Sequence, residues 1–294
     1  YTTLFRSGPN ALGPTPDHIP TRDLPGDLGN GVLIDQANKQ LVFGDNPLGW
    51  RYPSVVFGAL AIVAIYLCGL ALFGSQGAAL AAATLTFLNQ MVFVQSRIAM
   101  LDIYALAFDL FGIAAFICGY NKSRPEVSFG VAGLFFGLAG ACKWSGFFPL
   151  GVAIAIIAVI RLLQRWRTQF AEPDARDWYR PDRWPQFRYY HFVLCFMLAP
   201  ALVYFIAYVP LTGFSLSAFM EAQRRIFAEN SAAHPAHLYM SSWPSWPLLM
   251  RPIWYQFDKL GDDRFQAIIF LGNPLILWPA LAAHCYCHRH HHSV

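Results

Sequence analysis

Long uninterrupted apolar blocks are the feature that most limits what this chain can fold into. A helix needs about 20 apolar residues to cross the ~30 Å hydrocarbon core of a bilayer. Stretches of that kind recur at 53–74, 77–94, 101–119, 128–146, 148–164, 190–211 and 265–283. Only 13% of the residues are charged and 56% are hydrophobic, whereas a soluble domain carries about 25% charged residues. The expected fold is therefore an all-α polytopic membrane protein with about seven transmembrane helices. The fourth and fifth blocks are nearly continuous, and as one helix they would be too long for a membrane. We place their division at Phe147–Pro149, because proline disfavours helix in the residue before it.

Lysine and arginine in short loops set the orientation. Segment 165–189 holds Arg165, Arg167, Arg176, Arg180, Arg183 and Arg188 and reads as cytoplasmic. Loop 120–127 then falls on the same side and carries Lys122 and Arg124, whereas loop 212–264 and the first 52 residues fall outside with nearly balanced charge. The net charge of +4 includes no basic run of the kind that tracks a nucleic-acid backbone, so no nucleic-acid partner is expected. Cys68, Cys118, Cys142 and Cys195 lie in apolar runs and read as small buried hydrophobes rather than a disulfide framework. Walker A, dinucleotide, G-x-S-x-G and H-E-x-x-H patterns are missing, which argues against a nucleotide-driven engine or an in-membrane zinc protease.

Against this background the polar residues at span ends stand out. Lys143 in "GACKWSGFFP" (140–149) either snorkels to the headgroups or faces the bundle interior. Its neighbours Gly137, Gly140, Ala141, Ser145 and Gly146 allow close helix approach and favour the interior, where an ammonium suits a phosphate. Arg97 and Asp102 bracket the start of the third span, either as a snorkelling arginine and a helix-start carboxylate or as an ion-paired cluster. Asp109 is an intramembrane acid and functional by default. Loop 212–264 concentrates Trp243, Trp246, Trp254, Tyr239 and Tyr255 among prolines, with His234 and His237 nearby, and reads as a rigid segment at the surface. With the orientation above, all of these except mid-span Asp109 fall on the outer face.

Five stretches together resemble the bacterial protein O-mannosyltransferase family: "FGDNPLGWRYPSVVFG" (43–58), "VQSRIAMLDIYAL" (94–106), "GLAGACKWSGFFPL" (137–150), "HLYMSSWPSWPLLMRPIWY" (237–255) and "LGNPLILWP" (271–279). The resemblance implies a GT-C-like transmembrane domain over 43–283, with cytoplasmic loop 165–189 and an external loop 212–264 containing short helices. It implies a bacterial inner-membrane location with a periplasmic active face. The implied reaction transfers mannose from a polyprenyl-phosphate donor to a Ser or Thr hydroxyl of an exported protein, with inversion and without a metal or other cofactor. By position, Lys143, Arg97 and Arg51 would bind the donor phosphate, and Asp102 and Asp109 would support them. His237, Tyr239, Trp243, Trp246 and Arg251 would cover the site.

Two features depart from the family's pattern. The family's first helix and the acidic pair that holds its base are not recognisable before Phe43. Asp17, Asp23, Asp27 and Asp35 are available acids, but none sits in a matching motif, so no base is assigned. The opening "YTTLFRS" is the translation of a common sequencing-adapter DNA, and "HCYCHRHHHSV" leaves the apolar character of its helix as a frameshift would. We therefore read 1–42 as non-family or artefactual and 284–294 as a non-native tail, and expect the chain alone to be inactive. Two other functions stay open from the sequence: sugar transfer from polyprenyl phosphate to a glycolipid such as lipid A, and a non-enzymatic transporter or membrane scaffold.

Overall fold

The computed structural model describes residues 47–98, 100–170, 184–231, 245–250, 252–259 and 265–291. It divides into two compact units, one formed by residues 54–88 and 100–236, the other by 1–53, 89–99 and 237–294.

In chain order the helices of the larger unit begin with α1 (Pro47–Phe73), whose first turns belong to the other unit, and α2 (Gln76–Phe87). Gly74, at φ 63°, makes the turn between them, in the left-handed region open to glycine, and Ser75 caps α2 through Ala78 N. The buried stripe of α1 is Ser54, Gly58, Ala61, Ala64 and Cys68, all small and at helical spacing. Its opposite face exposes Val55, Val56, Leu60, Val63 and Leu67, as a lipid-facing surface requires. Asn89 then starts a separate short helix, α3 (Gln90–Gln95), by accepting from Met91 N at 3.0 Å. The expected span 77–94 is therefore broken in two, because a side-chain amide at its middle caps a helix instead of continuing one.

Helices α4 (Leu101–Tyr120) and α5 (Glu126–Cys142) form an antiparallel pair. Rings from α5 pack where α4 has no side chain: Phe136 lies over Gly112 and Phe129 over Gly119. A 3-10 turn (Trp144–Phe147) leads into α6 (Phe148–Phe170), and the helix break falls at Lys143, whose backbone is extended. This corrects the division expected at Phe147–Pro149. Pro149 sits in the first turn of α6, where its missing N–H is an unused donor in any case. After α7 (Tyr189–Val193), the chain widens into a π turn (Leu194–Leu198) before α8 (Ala199–Thr212). Pro200 explains the widening, since it offers no N–H to the carbonyl four residues back and its ring crowds that turn. Helix α9 (Leu216–Ser231) is amphipathic.

The core joins α4, α5, α6 and the start of the α7–α8 span through Phe116, Phe129, Phe136, Ile157, Ile160, Trp184, Phe187 and Phe196. Gly133 and Gly137 bring α5 against the backbone of the α7–α8 span, where an added Cβ would meet the Cys195 carbonyl and Pro200. Without water to drive helices together in a bilayer, such backbone proximity is a main source of association.

The smaller unit holds α3, a hairpin of β1 (Ile253–Lys259) and β2 (Phe265–Phe270), and α10 (Pro274–His291). The strands are antiparallel with an irregularity between Trp254 and Gln256. Gln90 Nε2 donates to Ile269 O at 3.4 Å, and Trp278 Nε1 to Pro247 O at 3.2 Å. The seventh expected span, 265–283, is thus corrected: "FQAIIF" (265–270) is a strand, as its aromatic and β-branched residues favour. Asn273 then caps α10 by accepting from Leu275 N at 3.0 Å, with Pro274 at the first helical position. Segment 212–264, expected to be a loop with short helices, holds α9 and β1, and β1 pairs with β2 just beyond it.

Among the described residues, four helical segments are long and apolar enough to cross a membrane: Arg51–Phe73, Leu101–Tyr120, Trp144–Trp166 and Tyr189–Thr212. Glu126–Cys142, at 17 residues, lies at the lower limit for a span, and the apolar part of α10, Pro274–Ala283, is shorter. The chain is an all-α polytopic membrane protein with a small hairpin, and the expected count of seven spans is not reached by this criterion.

Replacing Gly133 by leucine should abolish recovery of monodisperse protein in detergent by size-exclusion chromatography. Gly151→Ala, at a position with open space around the Cβ, should leave recovery unchanged.

Candidate functional site

Asp102 lies in the first turn of α4, where the positive end of the helix dipole favours a carboxylate. Lys143 is the residue that closes α5, where the negative end favours a cation. Because α4 and α5 run antiparallel through a short connection, these two ends coincide although 41 residues separate them in sequence. Lys143 Nζ donates to Asp102 Oδ1 at 2.7 Å, a short charge-assisted hydrogen bond. The Lys143 side chain is 53% exposed and that of Asp102 31%. An ammonium has three donors, and Asp102 is its one partner among the described residues, so the others face outward. Asp102 holds the charge in place without burying it, which leaves it available to an oxyanion.

The next residue fixes the geometry of this end. Gly146 N returns to Lys143 O at 2.8 Å, and Gly146 lies against the Ala139 backbone, closer than any side chain would permit. Trp144 Nε1 donates to Tyr204 Oη at 2.9 Å, and Tyr204 Oη donates to Gln223 Oε1 on α9. An indole nitrogen only donates, so the tyrosine oxygen accepts and its own proton goes to the amide. Phe147, Tyr208 and Phe219 surround Tyr204 with ring centroids 5.0–6.0 Å away. Helix α9 is in this way tied to the segment that carries Lys143. Sequence reasoning missed Tyr204 and Gln223. The available signal was Gln223 itself, a polar residue on the stripe Phe219, Ala222, Ile226 that α9 turns inward.

Asp109 sits two turns along α4 from Asp102, and its Oδ1 is buried with no hydrogen-bond partner among the described residues. It does not join the Lys143–Asp102 pair by any hydrogen bond in this structure. On α1, buried Ser54 is 3.0 Å from Tyr104 Oη, which joins the "WRYPS" and "LDIY" stretches. Arg51, Arg97 and Trp246 belong to the smaller unit. Arg51 and Arg97 are exposed, with the Arg97 guanidinium 5.1 Å from the Phe93 ring centroid, and Trp246 is 61% exposed. His237, Tyr239, Trp243 and Arg251, like Asp17, Asp23, Asp27 and Asp35, lie outside the described residues. No group of three or more metal-ligating side chains occurs among the described residues.

The profile of the dolichyl-phosphate-mannose-protein mannosyltransferase family matches residues 24–214. The chain belongs to this family. A second profile, for the C-terminal four-transmembrane region of protein O-mannosyltransferases, matches residues 214–289. The first match begins upstream of the motif at Phe43 and takes in every helix that builds the Lys143 site except α9, which the second covers. Among relatives, a polyprenol-phosphate-mannose–protein mannosyltransferase of Mycolicibacterium smegmatis is 24% identical over 322 aligned positions, covering 86% of this chain and 60% of that protein. A Corynebacterium glutamicum protein of the same name is 30% identical over 135 residues, 38% of this chain and 26% of that protein. The PE cleavage protein A of Mycobacterium tuberculosis matches over 41 residues at 66% identity, 14% of this chain and 7% of that protein. The chain thus spans 60% of the mycolicibacterial mannosyltransferase it matches. No solved structure matches it significantly.

Tyr204→Phe should lower the apparent unfolding midpoint of the detergent-solubilised protein, through a loss of about 0.5–1.5 kcal/mol per hydrogen bond removed, because the hydroxyl links exposed Trp144 to Gln223. An unchanged midpoint in thermal unfolding would mean that the Trp144–Tyr204–Gln223 chain does not hold α9.

Proposed function

We propose that this chain carries the donor side of an enzyme that transfers mannose from a polyprenyl-phosphate donor to Ser or Thr hydroxyls of exported proteins. The observation that carries the proposal is the half-exposed Lys143 ammonium, held by Asp102 at the joined ends of α4 and α5, in a chain of the mannosyltransferase family. The names of the matched relatives supply the donor and the protein acceptor. In the reaction, the acceptor hydroxyl attacks the anomeric carbon, the configuration inverts, and the glycosidic C–O bond to the lipid phosphate breaks. Negative charge grows on the departing phosphate oxygens, and a fixed ammonium lowers the barrier most if it is oriented before reaction. Asp102 supplies that orientation. A lysine whose other donors are open can follow the phosphate as a point charge. The family resemblance, and no contact among the described residues, adds Arg97 and Arg51 as further cations for the phosphate and Trp246, His237, Tyr239, Trp243 and Arg251 as its cover. The general base remains unassigned, and the reaction as written requires no metal or organic cofactor.

The proposed setting is the inner membrane of a bacterium, with Lys143 at the periplasmic face and the arginine-rich segment 165–189 at the cytoplasmic face. Lysine and arginine placement in the short loops supports that orientation.

Lys143→Met should weaken binding of polyprenyl-phosphate mannose to the purified chain in nanodiscs by roughly 10- to 100-fold, the usual worth of a charge-assisted hydrogen bond to an anion. The double variant Lys143→Met/Asp102→Asn, which leaves no stranded carboxylate, should bind as weakly while keeping wild-type helix content by circular dichroism. Donor binding at wild-type strength in the double variant would assign Lys143 a purely structural role.

A further inference from the structure

The segment Trp144–Trp166 begins beside Lys143 and ends, roughly 33 Å away at 1.5 Å per residue, in a second cluster of positive charge. Arg161, Arg165 and Arg188 line a cavity of about 530 Å3 between α6 and the start of α7, with apolar walls that include Ile157, Phe187 and Phe192. None of the described lining residues is acidic.

The state of Arg161 is the informative detail. Its Nη1 donates to Gln164 Oε1 at 3.1 Å, and its Nη2 donates to the carbonyls of Phe187 at 2.6 Å and Trp184 at 3.3 Å. The guanidinium also lies 5.9 Å and 6.0 Å from the ring centroids of Trp184 and Phe187. Every one of these partners is neutral, so a partly buried cation is solvated by dipoles and has no carboxylate among the described residues. A guanidinium has five N–H donors, and three are used. Arg188, at the mouth of the same cavity, likewise pairs with no described carboxylate.

The turn that aims those carbonyls is itself strained. Trp184 is held at φ 56°, a left-handed conformation that a non-glycine residue keeps only where the surroundings enforce it. Its buried indole donates from Nε1 to Tyr120 O at 3.3 Å and packs edge-on against Phe129 and Tyr120. Packing therefore fixes Trp184 in a conformation that presents its carbonyl to Arg161.

The depth of the cavity is given by its neighbours. Trp166 at the end of one span is 57% exposed, and Tyr189 and Tyr190 at the start of the next are 81% and 58% exposed. Exposed tryptophan and tyrosine at the ends of spans mark the headgroup level of a bilayer. A cavity at that level, basic and walled by apolar side chains, complements a molecule with an anionic head and hydrocarbon tails.

We infer that this cavity binds an anionic phospholipid, its phosphate between Arg161, Arg165 and Arg188 and its upper acyl segments along Ile157 and Phe192. The site lies at the opposite end of the span from Lys143 and stands whether or not the chain transfers mannose.

The test uses the full chain in neutral detergent, titrated in parallel with phosphatidylglycerol, phosphatidylcholine and inorganic phosphate. Thermal unfolding and native mass spectrometry are the readouts. Phosphatidylglycerol should raise the unfolding midpoint and persist as a bound adduct, and the other two should do neither. Arg165→Gln/Arg188→Gln, which spares the contacts Arg161 makes to the Trp184–Phe187 turn, should weaken phosphatidylglycerol binding by about fivefold per arginine removed. An equal response to phosphatidylcholine would overturn the inference by showing an unselective greasy surface. A full response to inorganic phosphate would replace the lipid with a free anion. Wild-type lipid retention by the double variant would place the lipid elsewhere.

Discussion

The hydrogen bond from Lys143 to Asp102 is the interaction around which the candidate site is organised. A bare ammonium within a span costs about 2.5–3.5 kcal/mol by insertion scales and more by other estimates. A carboxylate facing it at 2.7 Å offsets that cost and leaves further N–H donors unused. The pair also accounts for the chain's path. Helix α5 stops at Cys142, Lys143 adopts an extended backbone, and the 3-10 turn that follows folds back onto the end of α5. Had the helix continued to Phe147, Lys143 would have been one more position on a cylinder. Its place at the junction brings it to the start of α4, where the helix dipole already favours a negative charge.

That junction exists because neighbouring elements approach to backbone distance. Gly112 and Gly119 admit rings from α5, Gly133 and Gly137 admit the α7–α8 span, and Gly146 admits the end of α5. The π turn at Leu194–Leu198, forced by Pro200, lies beside Gly133. From there α8 carries Tyr204 to Trp144, and Tyr204 in turn holds α9. Small residues, one proline and one tyrosine thus connect an amphipathic helix outside the spans to the position of the cation.

Much of this was legible in the sequence. The long apolar blocks at 53–74, 101–119, 148–164 and 190–211 correspond to the four segments able to cross a membrane, because length and apolarity alone specify them. The small residues around Lys143 correctly signalled close packing. The family resemblance grouped Asp102 with Lys143 and Arg97, but local sequence could not show the direct bond between Asp102 and Lys143, because that contact depends on an antiparallel helix pair and a separation of 41 residues. Local chemistry overrode average hydropathy in two places. Asn89 caps a new helix inside an apolar block, and "FQAIIF" pairs as a strand before Asn273 and Pro274 start α10. Arg161 escaped notice because it lies within an apolar segment, and its significance is in the carbonyls that Trp184 and Phe187 turn toward it. The pattern of family motifs, by contrast, was specific enough to identify the family that the profile matches then showed.

We propose that Asp102 positions a charge which acts at Lys143 and nowhere else. The most direct measurement exchanges the two residues, comparing Asp102→Lys/Lys143→Asp with each single variant for folded yield and for binding of radiolabelled polyprenyl-phosphate mannose. The exchange should restore the yield lost in the single variants, because the ion pair re-forms, and donor binding should stay lost, because the cation now sits on α4. Recovery of donor binding together with folding would contradict it.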